Sequence, residues 1–145
     1  MFEIVHTVTD YYDGPRAGIA ELEGGPHFYQ AVWAVDGDDD DDPNAGTYLL
    51  TPIDRETLAL ALEDGEIWAR WVEAFERGEA EIASHPALPA DRERHDELQK
   101  LLGDRLRIDP ANVVRRRAEF RRRAGAPARC LHGARVLEVR WSAPA

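Results

Sequence analysis

Residues 2–35, FEIVHTVTDYYDGPRAGIAELEGGPHFYQAVWAV, hold the pattern that decides the fold. Positions 2–9 are rich in β-branched residues and read as a strand, with Phe2, Ile4 and Val8 on one face and His6 between them. Pro15 pushes Gly14 out of the helical region, so Asp13 to Arg16 predicts a tight reversal into a second strand, RAGIAELE. Gly24 and Gly25 predict the next reversal, into PHFYQAVWAV, and GTYLLT supplies a fourth strand beyond an acidic loop. Residues 1–51 are therefore expected to form an antiparallel β-meander. If both hairpins are tight, position 11 lies across from 18 and 31, 9 from 20 and 29, and 13 from 16 and 33. One face then gathers Tyr11, Asp13, Arg16, His27, Tyr29 and Trp33, with the Tyr11 ring over Gly18. The other carries Ile4, Val8, Ala17, Ile19, Phe28, Val32 and Ala34 and is expected to pack on helices.

Beyond the meander the hydrophobic period changes. Thr51 as N-cap, Pro52 at the first helical position and Asp54 near the third predict a helix over 52–78. Leu58, Ala61 and Leu62 share one side of it, and Trp68, Trp71, Val72 and Phe75 cluster about a quarter turn away, which predicts a kink at Asp64 and Gly65. Trp68, Trp71 and Phe75 are expected to anchor the sheet. SHPALPAD is an extended loop, Asp91 caps a helix over 91–103 bearing Leu98, Leu101 and Leu102, and RLRI (105–108) is readable as an edge strand. Asp109 and Pro110 repeat the cap and first-turn pattern and predict a basic helix over 109–124. Val113, Phe120 and Ala124 would share its core side, with Arg115, Arg116, Arg122 and Arg123 opposite. A strand over 134–141 closes the chain. The expected fold is a single α+β domain, an antiparallel meander sheet with helices packed on one face.

The 145 residues carry a net charge of −10, unevenly placed. Positions 1–50 hold 11 acidic and one basic residue, 51–109 hold 15 and 8, and 110–145 hold 2 and 9. A partner within a Debye length of about 8 Å feels the local patch, so the total excludes neither anionic nor cationic partners. Six arginines between positions 115 and 123 suit phosphate binding, but only Phe120 is interleaved with them, and the acidic remainder of the chain competes for the same charges. Pairing within the domain is the favoured reading and nucleic acid the lesser one. No stretch is apolar enough to span a membrane, the start MFEIVHTVTD lacks a signal-peptide pattern, and the single Cys130 rules out an internal disulfide, so a cytoplasmic location is expected.

No motif defines a reaction. The run at Asp36 and 38–42 lacks the alternation of a calcium loop, and His6, His27, His85, His95 and His132 show no paired ligand spacing, so neither metal nor cofactor is expected. Ser84 and Ser142 sit outside any GxSxG setting, and Cys130 with His132 lacks an identifiable acid or oxyanion donor. DYYDGPRAGIA (10–20), LEDGEIWARW (62–71) and HPALP (85–89) resemble a family of short bacterial proteins of uncharacterised activity, over roughly residues 4–120. The resemblance implies common descent and brings no activity, cofactor or catalytic residue. The Asp run and Gly65 depart from that family's pattern.

The leading expectation is a small binding or regulatory module, adaptor-like or immunity-like, that meets a protein partner through Asp10, Tyr11, Asp13, Arg16, His27, Tyr29 and Trp33. A small enzyme is the first alternative, with Asp10, Asp13 and His27 moving protons and Arg16 clamping an anionic or nucleotide-like substrate. A nucleic-acid-associated protein using Arg115, Arg116, Arg122 and Arg123 is the second.

Overall fold

The computed structural model describes residues 1–11, 14–32, 46–125 and 136–144. Asp13, Trp33, the 36–42 acidic run, Cys130 and His132 lie outside them. The four N-terminal strands form where the β-branched pattern places them: β1 (Glu3–Tyr11), β2 (Pro15–Leu22), β3 (Gly25–Ala31) and β4 (Thr47–Pro52). Two more follow, β5 (Val114–Arg122) and β6 (Leu137–Ser142). The strands pair antiparallel in chain order, and β1 also pairs with β6 through Glu3↔Val139 and Ile4↔Glu138. The sheet is thus a closed six-stranded barrel and not the expected open meander.

Closure changes what the two faces of the N-terminal ribbon do. The division into faces holds for β2 and β3, because their register (Gly18↔Tyr29, Ala20↔His27) differs from the expected one by two residues, which preserves the side-chain parity, whereas Val8 of β1, expected on the helix-facing side, pairs with Gly18 and enters the barrel core. In β1, irregularities between Val5 and Thr7 and between Val8 and Asp10 break simple alternation. Val5 and Val8, three apart, accordingly both join the barrel core. The aromatic face becomes the barrel interior. Tyr29, Tyr48, Phe120 and Trp141 form a four-ring cluster there, every pair of centroids 5.5 to 6.1 Å apart. Tyr29 donates from its hydroxyl to the Thr7 carbonyl (3.1 Å) and Tyr48 to that of Pro15 (2.6 Å), which satisfies both phenols inside the core. Burial raises both phenol pKa values.

β5 overturns the predicted basic helix. Asp109 does cap, but it caps a turn: its carboxylate accepts from Ala111 N, its carbonyl from Asn112 N, and its own N–H donates to Thr51 Oγ1 of β4. The chain then runs extended, with Val114, Ala118 and Phe120 packed on the barrel core and Arg115, Arg117, Glu119 and Arg121 exposed between them. This is a period of two, and pairing with β4 and β6 on both sides outweighs the helical preference of the arginines. Residues 105–108 form no strand.

Two helices cover the outer face of β1–β3, α1 (Arg55–Glu76) and α2 (Arg92–Gly103). Asp54 is the N-cap of α1, accepting from Thr57 N at 2.7 Å, while Thr51 and Pro52 belong to β4. α1 is continuous through Gly65. Ile19 of β2 packs with Ala61 of α1 and Leu102 of α2, while Ile67, Ala87 and Leu98 seal the helix pair. Leu101 is exposed. Trp71 does not anchor the sheet: it is buried against the connector between the helices, donating to Ser84 Oγ, and Phe75 stacks on it half-exposed.

Above the apolar seal the helices are clasped by ion pairs. Arg70 meets both carboxylate oxygens of Asp91 at 3.0 Å, and Arg94 meets both of Glu63. Hydrogen bonds from Arg70 and Arg94 hold the Asp91 and Glu63 carboxyls below their ordinary values. A carboxyl depressed in the folded state stabilises above the unfolded-state pKa, and that contribution is lost as pH falls through the depressed value. The melting temperature is therefore expected to hold between about pH 6 and 8 and to fall below about pH 4. Melting curves across this range should show a shallower acid limb for Arg70→Ala/Arg94→Ala, since that variant has lost the depressing partners.

Candidate functional site

Aromatic and aliphatic side chains pack the barrel core, and a cavity among the described residues lies outside it. It is a half-open cleft of about 520 Å³ between the outer barrel wall and the two helices. Thr7, Val8, Thr9 and Phe28 form the barrel side, Ala61, Asp64, Gly65 and Trp68 come from α1, and His95, Gln99 and Leu102 from α2. His85 and Pro86 of the connector close one end.

The polar groups of this cleft are organised across the helix pair. Asp64 Oδ1 accepts from His95 Nδ1 at 2.6 Å, and its Oδ2 from Gln99 Nε2 at 2.7 Å. His95 and Gln99 are four apart and share one face of α2, which lets a single carboxylate on α1 hold both. Trp68 donates from Nε1 to His85 Nε2 at 3.1 Å, with the two rings perpendicular. Trp71 meets the His85 ring edge-on from behind, at a centroid distance of 4.6 Å. No Arg or Lys lines the cleft among the described residues. Among them, too, no group of three His, Cys, Asp or Glu is placed to hold a metal ion, and no helix is long and apolar enough to cross a membrane.

The described members of the expected contact face, Asp10, Tyr11, Arg16, His27 and Tyr29, are dispersed. Asp10 and Tyr11 are exposed at the end of β1, opposite Ala17 and Pro15. Arg16 is 4% exposed and lies near Tyr48, whose phenol its charge acts on, and Tyr29 is fully buried inside the barrel. His27 donates from Nδ1 to the Gly25 carbonyl (2.8 Å) and stands in register with Ala20, four residues along β2 from Arg16. At about 3.3 Å per residue that separation is roughly 13 Å, too far for the two to act on one small substrate. Among the described residues the aromatic contact face and the Arg16 anion clamp therefore do not assemble, because closure of the barrel turned Arg16 and Tyr29 inward while Tyr11 stays exposed.

The arginine site is divided as well. Along β5 Arg115 points to the opposite side from Arg116 and Arg122, and Arg123 lies beyond the end of the strand, so the four do not share one strand face. Arg121 pairs with Glu138 and lies 3.5 Å over the Phe2 ring, Arg140 pairs with Glu119, and Arg115, Arg117, Arg122 and Arg123 each hold further interactions within the chain.

Asp64, Trp68, His85, His95 and Gln99 were not singled out by sequence reasoning as a site. One signal was available: LEDGEIWARW supplies Asp64, Gly65 and Trp68, and HPALP supplies His85 and Pro86. These elements define a six-stranded barrel with a two-helix cap and a cleft between them. Comparisons with protein-family models, curated proteins and solved structures find no match to this chain.

Proposed function

We propose that the protein is a small binding module whose ligand is a small molecule seated in the cleft between barrel and helices. The observation that carries this reading is the cleft's lining: an apolar floor with a few convergent polar groups, in a volume of about 520 Å³. Cavities that hold small organic ligands have this composition and a size of about 300–1,000 Å³. The pinned Asp64–His95–Gln99 array supports the reading further, since such an array fixes one ring geometry in advance of any ligand.

Gly65 supplies the test. It lines the cleft in the middle of α1, and a Cβ built there meets nothing within 4 Å. Gly65→Leu is expected to keep the fold and gain about 0.5–1 kcal/mol of helix stability, while its side chain fills the mouth of the cleft. A fragment screen by protein-observed NMR is expected to move the Thr9, Trp68, His85, His95 and Gln99 resonances in the parent, with at least tenfold weaker binding in Gly65→Leu. Fragments mapping elsewhere, or binding both proteins equally, would defeat the proposal.

A further inference from the structure

Building on the cleft reading, we infer that the ligand is an uncharged aromatic molecule bearing an N–H or O–H group, and that this group donates to Nε2 of His95. The polarity follows from where the protons sit. A carboxylate only accepts, so the 2.6 Å contact places a proton on His95 Nδ1, and the lone pair of the uncharged form of the ring is then at Nε2. Gln99 occupies the other Asp64 oxygen, so Asp64 is held in place to position the imidazole. His95 makes no second hydrogen bond among the described residues, although its side chain is only 13% exposed and lines the cleft.

His85 is fixed in the opposite sense. The Trp68 indole can only donate, so His85 Nε2 accepts, and the proton of that ring is on Nδ1. The perpendicular rings of Trp68 and His85 make an aromatic corner, and Phe28 lies on the barrel side. A phosphate or carboxylate on the ligand would find Asp64 nearby and no Arg or Lys among the described lining residues. An aliphatic molecule would fill the apolar part but leave the His95 lone pair without water or partner. A flat ring with one donor satisfies both demands.

Indole and N-methylindole separate these contributions, because they share the flat bicyclic ring and differ only at nitrogen, where a methyl group replaces the donor. Calorimetric titration is expected to show indole binding the parent about five- to tenfold tighter than N-methylindole, the scale of one neutral hydrogen bond. In His95→Phe the two are expected to agree within about twofold, and a melting curve checks that this variant is folded. If His95→Phe melts early, Asp64→Asn replaces it: an amide no longer dictates the imidazole tautomer, and the preference should fall by at least half. Equal binding of the two compounds to the parent, or a preference that survives in the variant, overturns the hydrogen-bond assignment while leaving the cleft reading standing. Failure of both compounds to bind the parent at millimolar concentration overturns both.

Discussion

Gly18→Ala is expected to destabilise the protein by more than about 4 kcal/mol, a large share of the roughly 5–15 kcal/mol that holds an ordinary domain folded. Gly18 lies on the barrel interior with φ of +159°, opposite Val8 on one side and Tyr29 on the other. A Cβ there would sit 2.1 Å from the Thr7 carbonyl oxygen and 2.7 Å from the Tyr29 hydroxyl. The first contact is the decisive one. The Thr7 backbone is held by the Tyr29 hydroxyl at its carbonyl and by Ile19 N at its side chain, so it cannot retreat without breaking the β1–β2 seam. Tyr29→Phe would remove the hydroxyl but not the carbonyl, so Gly18→Ala/Tyr29→Phe is expected to remain as unstable as Gly18→Ala alone. Circular dichroism melts of the three variants check this; a Gly18→Ala melting point within a few degrees of the parent would show that the strands do not approach this closely.

The same glycine shows how far the fold was legible. The gap it leaves for a ring was readable, and so was the division of β2 and β3 into two faces, but not that of β1, whose Val8 lies in the barrel core. The tenant was misassigned: Tyr29 fills the space and not Tyr11, because β1 pairs Val8 with Gly18 and the β1–β2 turn closes nearer Tyr11. Local chemistry places the reversals at Gly14–Pro15 and Gly24–Gly25 to within a residue or two, yet register also depends on bulges that no local pattern in β1 announces.

Closure of the barrel was hidden by β5. Val113, Phe120 and Ala124 fit a helical period as well as Val114, Ala118 and Phe120 fit a strand, and an Asp-Pro pair initiates either a helix or a turn. What settles it is distant: β4 and β6 hold the two edges of β5, and the aromatic cluster needs Phe120 inside. With 109–124 read as a helix the sheet lacks its closing strand, and the aromatic face is left looking outward. The cleft was illegible for a related reason. Asp64 and His95 are 31 positions apart and His85 belongs to a proline-bounded connector, so their convergence follows from how α1 and α2 pair. Only the four-residue spacing of His95 and Gln99 is local.

Trp71→Ala is expected to cost about 3–5 kcal/mol and to lower the melting temperature by roughly 10–15 °C, the usual consequence of removing a buried indole from a domain of this length. Trp71 is 4% exposed, stacks on Phe75 at 5.0 Å, meets the His85 ring edge-on and donates to Ser84 Oγ at 2.8 Å. All of these partners lie on α1 itself or in the connector, so the damage should start there. Hydrogen exchange is expected to accelerate first over residues 80–88, with β1–β3 amides following only on global unfolding; early exchange in β1–β3 would restore the view that this indole anchors the sheet. Trp71→Phe keeps a ring against Phe75 and His85 and loses the Ser84 bond, so its cost should be nearer 1–2 kcal/mol. Because His85 is held between Trp71 and Trp68, Trp71→Ala should also weaken indole binding in the cleft while leaving Asp64 and His95 in place. Stability and ligand affinity are therefore expected to fall together in Trp71→Ala, whereas Gly65→Leu should lose affinity alone.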